Sequence, residues 1–411
     1  MQAISFNNYE PCVKNGEDNL PLKNQIKLLY MSTKRKHHPV IEELVTLIKE
    51  HHWTTDFTTA IKSAHDKKLP LIENVATLED YLDWLNEFLY WIPQEDSSGG
   101  CVNDHLSASY FIADQEPLLS LQNKIIAHDK APASTPFSKW LTDYANALGA
   151  FHDTPESLTE ASEKTFYDTP SYNMHEYSKP HGGWKTFNQL FARHFKPGYR
   201  PIASVSDPTI IVMPADSTYA GQWEIRKDSN VTVKKINWKI SELLEGSPYK
   251  DRFVNGMFMH SFLSPLDYHR QHAPVGGKVL EARVIHGQVY QDVKVKAQEE
   301  NPETHRLEVQ RVYEDFDVTG YQFAQTRGLI VLDTPIGLVA VLPIGMSQVS
   351  SVIITAEVGV TVRKGEELSY FQFGGSDIIL VFEASSNVSL SAQPTVHYKM
   401  GTKIGNAYPV I

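Results

Sequence analysis

Apolar positions between about 40 and 148 recur at helical spacing. Ile41, Leu44, Val45 and Ile48 form one stripe, and Leu78, Tyr81, Leu82, Leu85, Phe88 and Leu89 form another. Glu79, Asp80, Asp83 and Glu87 occupy the remaining surface of the second helix, while Trp84 and Trp91 add aromatic bulk. The segment PQEDSSGG at 93–100 breaks it, and a third helix is predicted over 137–148. These stripes predict a packed helical core and carry no visible chemistry.

Residues 151–183 are irregular and polar, as in a connection between domains. A short amphipathic helix is predicted over 187–195. Beyond Arg200 the pattern turns strand-like. Runs at 328–333 and 338–342 flank Thr334-Pro335-Ile336-Gly337, a turn signal, and predict a hairpin. Further strands are expected at 352–354, 358–362, 368–373 and 378–382, the last two bracketing Gly374-Gly375-Ser376-Asp377. The expectation is an α+β fold, with a helical N-terminal domain over 1–165 and a mainly β domain over 166–411.

Composition narrows the function. A chain of 411 residues suggests two or three domains, and its net charge is 38 − 49 = −11. That balance disfavours a general nucleic-acid binder, which needs clustered Lys and Arg. It equally disfavours docking on an anionic bilayer. The two cysteines, Cys12 and Cys101, argue against a disulfide framework or a Cys-rich zinc site and fit a reducing compartment. No run approaches the roughly 18 apolar residues of a membrane span, and the polar, acidic start lacks the features of a secretory signal. A soluble cytoplasmic protein without a membrane anchor is expected. Phosphate-loop, HExxH, GxSxG and GxGxxG motifs are absent, and His260, His269 and His272 match no compact zinc spacing. No metal is expected.

Three segments carry the candidate chemistry: Met213-Pro214-Ala215-Asp216-Ser217, LSPLDYHRQHAP at 263–274, and Phe371-Gln372-Phe373-Gly374-Gly375-Ser376. Taken singly they are a turn carboxylate, two histidines between prolines and a flexible Gly-Gly-Ser turn. In this order they resemble the phosphatidylserine decarboxylase family of pyruvoyl enzymes. WKTFNQLFAR at 184–193, KPGYRPI at 196–202 and GVTVRKGEEL at 359–368 extend the likeness over about 166–411. The helical half is similar to the accessory domain of soluble members such as L-tryptophan decarboxylases.

The resemblance implies a cofactor made from the chain itself. Decarboxylation of an amino acid leaves a carbanion that needs an electron sink, and side chains offer none. The Ser376 hydroxyl would attack the carbonyl of Gly375, moving the acyl group from nitrogen to oxygen. Elimination of the ester and hydrolysis of the dehydroalanine would then leave a pyruvoyl group, with two cleavage fragments that stay associated. Glycine before the nucleophile permits the backbone strain, and a weak nucleophile such as serine needs a base. By resemblance His272 is that base and Asp216 bonds the far ring nitrogen to fix its tautomer. His269 would protonate the carbanion released from a Schiff base with the substrate, and Phe262 and Tyr268 would line the pocket.

Ser217 stands where members often carry glycine, and Asp377 follows the nucleophile where many bacterial members have threonine; an acid there, beside the new ketone, is placed to alter substrate preference. The expected activity is decarboxylation of a small-molecule L-amino acid, aromatic such as tryptophan. Phosphatidylserine is the alternative substrate, and a non-catalytic binding protein on the same scaffold is the reading from a different class.

Overall fold

The computed structural model describes residues 36–127, 132–233, 236–291, 293–297, 311–315, 320–346, 351–373 and 377–409. Helix α1 (Pro39–Glu50) starts where Pro39 fixes φ and the His38 side chain accepts from Val40 N–H at 3.2 Å; it buries Val40, Ile41, Leu44 and Ile48. Next comes α2 (Thr54–His65), then α3 (Leu78–Phe88), whose Thr77 and Asp80 form a reciprocal capping box. Helix α4 (Cys101–Phe111) is buried on nearly every side, so it has no apolar stripe against a polar face and its sequence gives no periodic signal. Helix α5 (Pro136–His152) extends the predicted 137–148 segment at both ends, capped by Thr135. The expected irregular connection contains α6 (Glu160–Asp168), capped by Thr159. The helix predicted at 187–195 ends early: α7 is Phe187–Phe191, and His194–Phe195 pairs instead with Tyr177–Ser178.

The strands that organise the second half are β1 (Ser217–Glu224), β2 (Met257–Phe262), β3 (Arg270–His272), β4 (Gly277–Ile285), β5 (Arg327–Thr334), β6 (Gly337–Ile344), β7 (Val352–Ile354), β8 (Thr361–Val362), β9 (Glu367–Phe371), β10 (Asp377–Phe382) and β11 (His397–Tyr398). Eight of them form one sheet in the order β8-β4-β5-β6-β10-β2-β1-β11, antiparallel throughout. The predicted hairpin is β5–β6, closed at Thr334 opposite Gly337. A three-stranded sheet runs β7-β9-β3, and another joins Val388–Leu390, Lys403–Ala407 and Ile210–Val212. The run expected at 358–362 is mostly loop; only Thr361–Val362 pairs, and Gly359 takes a φ of +90°.

Both faces of the large sheet are covered. Ile330 and Leu332 of β5, Val339 and Val341 of β6, and Ile378, Leu380 and Phe382 of β10 join a core that runs continuously into the helical half. The alternate residues Leu329, Val331, Ala340, Leu342, Ile379 and Val381 join a second core with Trp238, Leu243 and Phe323. A strand buried on both faces reads as an unbroken apolar run, as 378–382 does.

Cys101 is disulfide-bonded, which the low cysteine count did not suggest. Its neighbours Glu95 and Asp96 place three potential metal-ligand atoms together, but a disulfide sulfur is no thiolate ligand. Glu95 meanwhile accepts from Cys101 N–H, Val102 N–H and Tyr172 Oη. Among the described residues no helix is long and apolar enough to cross a membrane.

Gly256 precedes β2 where the chain passes against β10. A Cβ there would lie 1.9 Å from the Phe382 carbonyl oxygen. Gly256→Ala is therefore expected to lower the unfolding free energy by about 2 kcal/mol or more through overpacking against backbone. An unchanged urea midpoint would show that the two strands can part at no cost.

Candidate active site

The chain brings the separated motifs together through backbone bonds. His272 N–H donates to the Pro214 carbonyl at 2.8 Å, which lays the Pro-Ala-Asp-Ser turn against β3. Strand β3 pairs with β9, and Phe371 N–H donates to the His269 carbonyl at 2.9 Å, so the His-containing segment lies along the strand that leads into Gly374-Gly375-Ser376.

The His272 ring is held at both nitrogens. Nδ1 lies 2.9 Å from the Gly365 carbonyl oxygen and Nε2 lies 3.0 Å from Tyr268 Oη. A carbonyl only accepts, so the proton sits on Nδ1 and Nε2 accepts from the phenol. Burial pushes the Tyr268 phenol far above its ordinary value, which keeps it an O–H donor. Burial also lowers His272, opposed by the Gly365 carbonyl and the Glu367 carboxylate. The product is a neutral imidazole whose Nε2 lone pair is the basic atom. The Tyr268 ring lies tilted against Phe195, their centres 3.9 Å apart, while its hydroxyl occupies that lone pair.

The expected hydrogen bond between Asp216 and His272 is not formed. Asp216 accepts from Arg200 Nε at 3.0 and 3.1 Å, from Arg200 Nη2 at 2.6 Å and from Met400 N–H at 2.7 Å. Arg200 also donates to Glu176 Oε2 at 2.7 Å, and its guanidinium lies 3.9 Å from the centre of the Phe195 ring. Burial works against the Arg200 charge, but its two carboxylates outweigh that and raise its pKa. Asp216 acts on His272 only through space, its charge favouring the protonated ring. The reason is charge matching: a desolvated guanidinium takes both carboxylate oxygens in a side-on pair that a single imidazole N–H cannot match.

His269 is fully buried and stacked on Phe191 at 3.9 Å, and neither ring nitrogen has a hydrogen-bond partner. Burial and the nearby Arg193 charge hold it neutral, against the pull of the backbone at Asp267 and Ser264. Phe262 is half-buried at the end of β2, opposite Asp377 in the sheet. Asp377 is fully buried, bonded to Tyr321 Oη and 3.2 Å from His260 Nε2, on the side of the second core. Gly375 and Ser376, the expected cleavage site, lie outside the described residues.

On the upstream side of that site, Phe373 N–H donates to Asn188 Oδ1 at 2.8 Å. On the downstream side, Asp377 is paired with Ile344 and Phe262. Sequence reasoning missed Arg200, Asn188 and the bonding role of Tyr268. All three stood inside the resembling segments without a bonding role, and because 270–272 is strand, no helical spacing marked the Tyr268–His272 contact.

The sequence profile of the family described as phosphatidylserine decarboxylase matches residues 187–406. The chain belongs to the phosphatidylserine decarboxylase family. It is 36% identical over 236 residues to phosphatidylserine decarboxylase proenzyme 3 of Schizosaccharomyces pombe, covering 57% of this chain and 22% of that one. It is 30% identical over 279 residues to phosphatidylserine decarboxylase proenzyme 2 of Oryza sativa subsp. japonica, covering 65% and 42%. Phosphatidylserine decarboxylase proenzyme of Fusobacterium nucleatum is 29% identical over 275 residues, covering 65% of this chain and 84% of the relative. The chain thus spans less than half the length of the first two. Helices α1 to α6 precede the stretch that the family profile matches.

Arg200 compensates two buried carboxylates. Arg200→Met is expected to destabilise the protein by about 3–5 kcal/mol, because Asp216 would be left buried without its cation and Glu176 with Lys399 alone; urea unfolding measures it, and a loss below 1 kcal/mol would mean that water reaches the pair.

Acid should also weaken the fold. Burial lowers the pKa of His105 to about 4 and of His152 to about 3, and depresses His269 and His272 as well. Each ring binds its proton more readily in the unfolded chain, where the value is about 6.5. The stability each contributes is therefore complete above that value and is lost as pH falls toward 4. Glu95, raised by burial to about 7, and His397, raised by its bond to Asp267, act in the opposite sense. Below 6.5 His397 is protonated in both states and adds no slope. His105 and His152 against Glu95 then leave a net of about one proton, a loss of about 1.4 kcal/mol per pH unit between about pH 6 and 4.5, with His269 and His272 acting in the same direction. A urea midpoint that stays level or rises from pH 7 to pH 4.5 would contradict this.

Proposed function

We propose that the protein is a self-processing, pyruvoyl-dependent decarboxylase that converts phosphatidylserine to phosphatidylethanolamine and carbon dioxide. The reading is carried by the convergence of the three motifs: the turn of Asp216, the strand of His272 and the strand leading to Ser376 are joined by successive backbone bonds. The names of the relatives favour phosphatidylserine over a free amino acid. The tryptophan-type reading rests on the net charge of −11, on the expected lack of a membrane anchor and on the likeness of the helical half to an accessory domain.

In self-processing, His272 keeps Nε2 unprotonated by holding its proton on Nδ1 against Gly365, and so can receive the proton of the Ser376 hydroxyl. Tyr268 Oη occupies Nε2, so the hydroxyl would either relay that proton or give way to Ser376. The residues fit a ketone made in place, because the chain is anchored at Phe373 before the cut and at Asp377 after it. Once formed, a pyruvoyl group on Asp377 would supply the electron sink that decarboxylation requires. Around it, Phe262 would wall the site and Arg200 would hold the Asp216 carboxylate in place beside the turn.

Mass spectrometry under denaturing conditions tests the processing. Two fragments are expected in place of the 46.5 kDa chain, the smaller blocked at its N-terminus. Ser376→Ala should give a folded, uncut, inactive chain; carbon dioxide release by that variant would overturn the pyruvoyl reading. Release from phosphatidylserine vesicles and none from tryptophan is the expected substrate pattern, and the reverse would move the assignment to a free amino acid.

A further inference from the structure

The helical half reaches the cleavage segment. Phe373, two residues before Gly375, is buried, and its ring centre lies 5.9 Å from Trp91 and 4.8 Å from His152, both in the helical half. Phe187 and Phe191 of α7 close the same cage at 5.1 and 5.4 Å. The backbone is gripped as well. Asn188, itself buried, accepts from Phe373 N–H and donates through Nδ2 to Asp153 Oδ1 at 2.9 Å. Asp153, just past the end of α5, also receives Gln372 Nε2 at 3.1 Å.

We propose that the helical half is part of the self-cleavage machinery, holding Phe373 as a fixed point from which Gly374 and Gly375 are presented to Ser376. Asn188 is the positioning residue, oriented by Asp153, and Trp91 and His152 hold the ring. This rests on the self-processing reading above. The physical need is clear. Two successive glycines carry the largest backbone freedom of any dipeptide, so the attack geometry is populated only when the chain entering them is fixed. A cage of aromatic rings with one buried amide supplies both position and direction without touching the reacting atoms.

The test follows chain splitting over time after pulse-labelled synthesis of the full-length protein, with the melting temperature of each variant as a folding control. Asn188→Ala is expected to slow cleavage roughly 10- to 100-fold, the scale of a small misplacement of reacting groups, and to leave its pH profile unchanged because His272 remains the base. The exchange Asn188→Asp with Asp153→Asn keeps an acceptor for Phe373 and a donor beside it, and should recover most of the rate. Trp91→Leu, which opens the cage from the helical side, should also slow splitting and carries the test if Asn188→Ala melts too low. Variants that split at the wild-type rate would overturn this inference and leave self-processing intact. An exchange variant as slow as Asn188→Ala would overturn it too, since the pair would then serve the fold and not the peptide. A wild-type chain that never splits would overturn both.

Discussion

Strand β10 is hydrogen-bonded on both sides, to β6 and to β2, in the interior of an eight-stranded sheet. That constraint governs the rest. Its first residue, Asp377, lies one residue beyond the proposed scissile bond, so whatever happens there happens at the lip of a strand held on both sides. A two-faced core fixes its register, because a slip by one residue would exchange the two apolar sets of β10 between unlike surroundings. Chemistry at this point therefore meets a rigid downstream wall and an upstream segment that needs holding by other means.

Charge is arranged on the same economy of burial. Arg200, Asp216 and Glu176, with Lys399 on Glu176, form an ion cluster, while burial lowers the pKa of His269 and His272 by more than their neighbours raise it. A neutral His272 with a defined tautomer is a ready base; a paired Asp216 is a fixed negative charge next to it. The two roles are separated in space and coupled only electrostatically, which differs from a hydrogen-bonded carboxylate–imidazole pair.

Much of this was legible in the sequence, for identifiable reasons. The stripes of α1 and α3 and the β5–β6 hairpin were visible because each buries one set of residues at its own period. Helix α4 was invisible because burial on nearly all sides erases the contrast, and α6 was hidden in a polar stretch whose capping residues, Thr159 and Ser162, were the only sign. By family resemblance the motifs named His272 and Asp216. They could not say that Arg200 would claim the carboxylate or that Asn188 would reach Phe373, because both depend on contacts between segments distant in the chain.

The strands that follow Ser376 are not a detachable tail. One lies deep in the large sheet, β11 edges it, and Val388–Leu390 and Lys403–Ala407 build a second sheet with Ile210–Val212, while Met400 N–H bonds Asp216. Before scission the pieces find each other as parts of one polymer. Afterwards, a denatured sample would have to reassemble by collision, so its recovery would become second order in protein concentration. Persistence of the processed form would then be set by how slowly it unravels and not by how readily it re-forms.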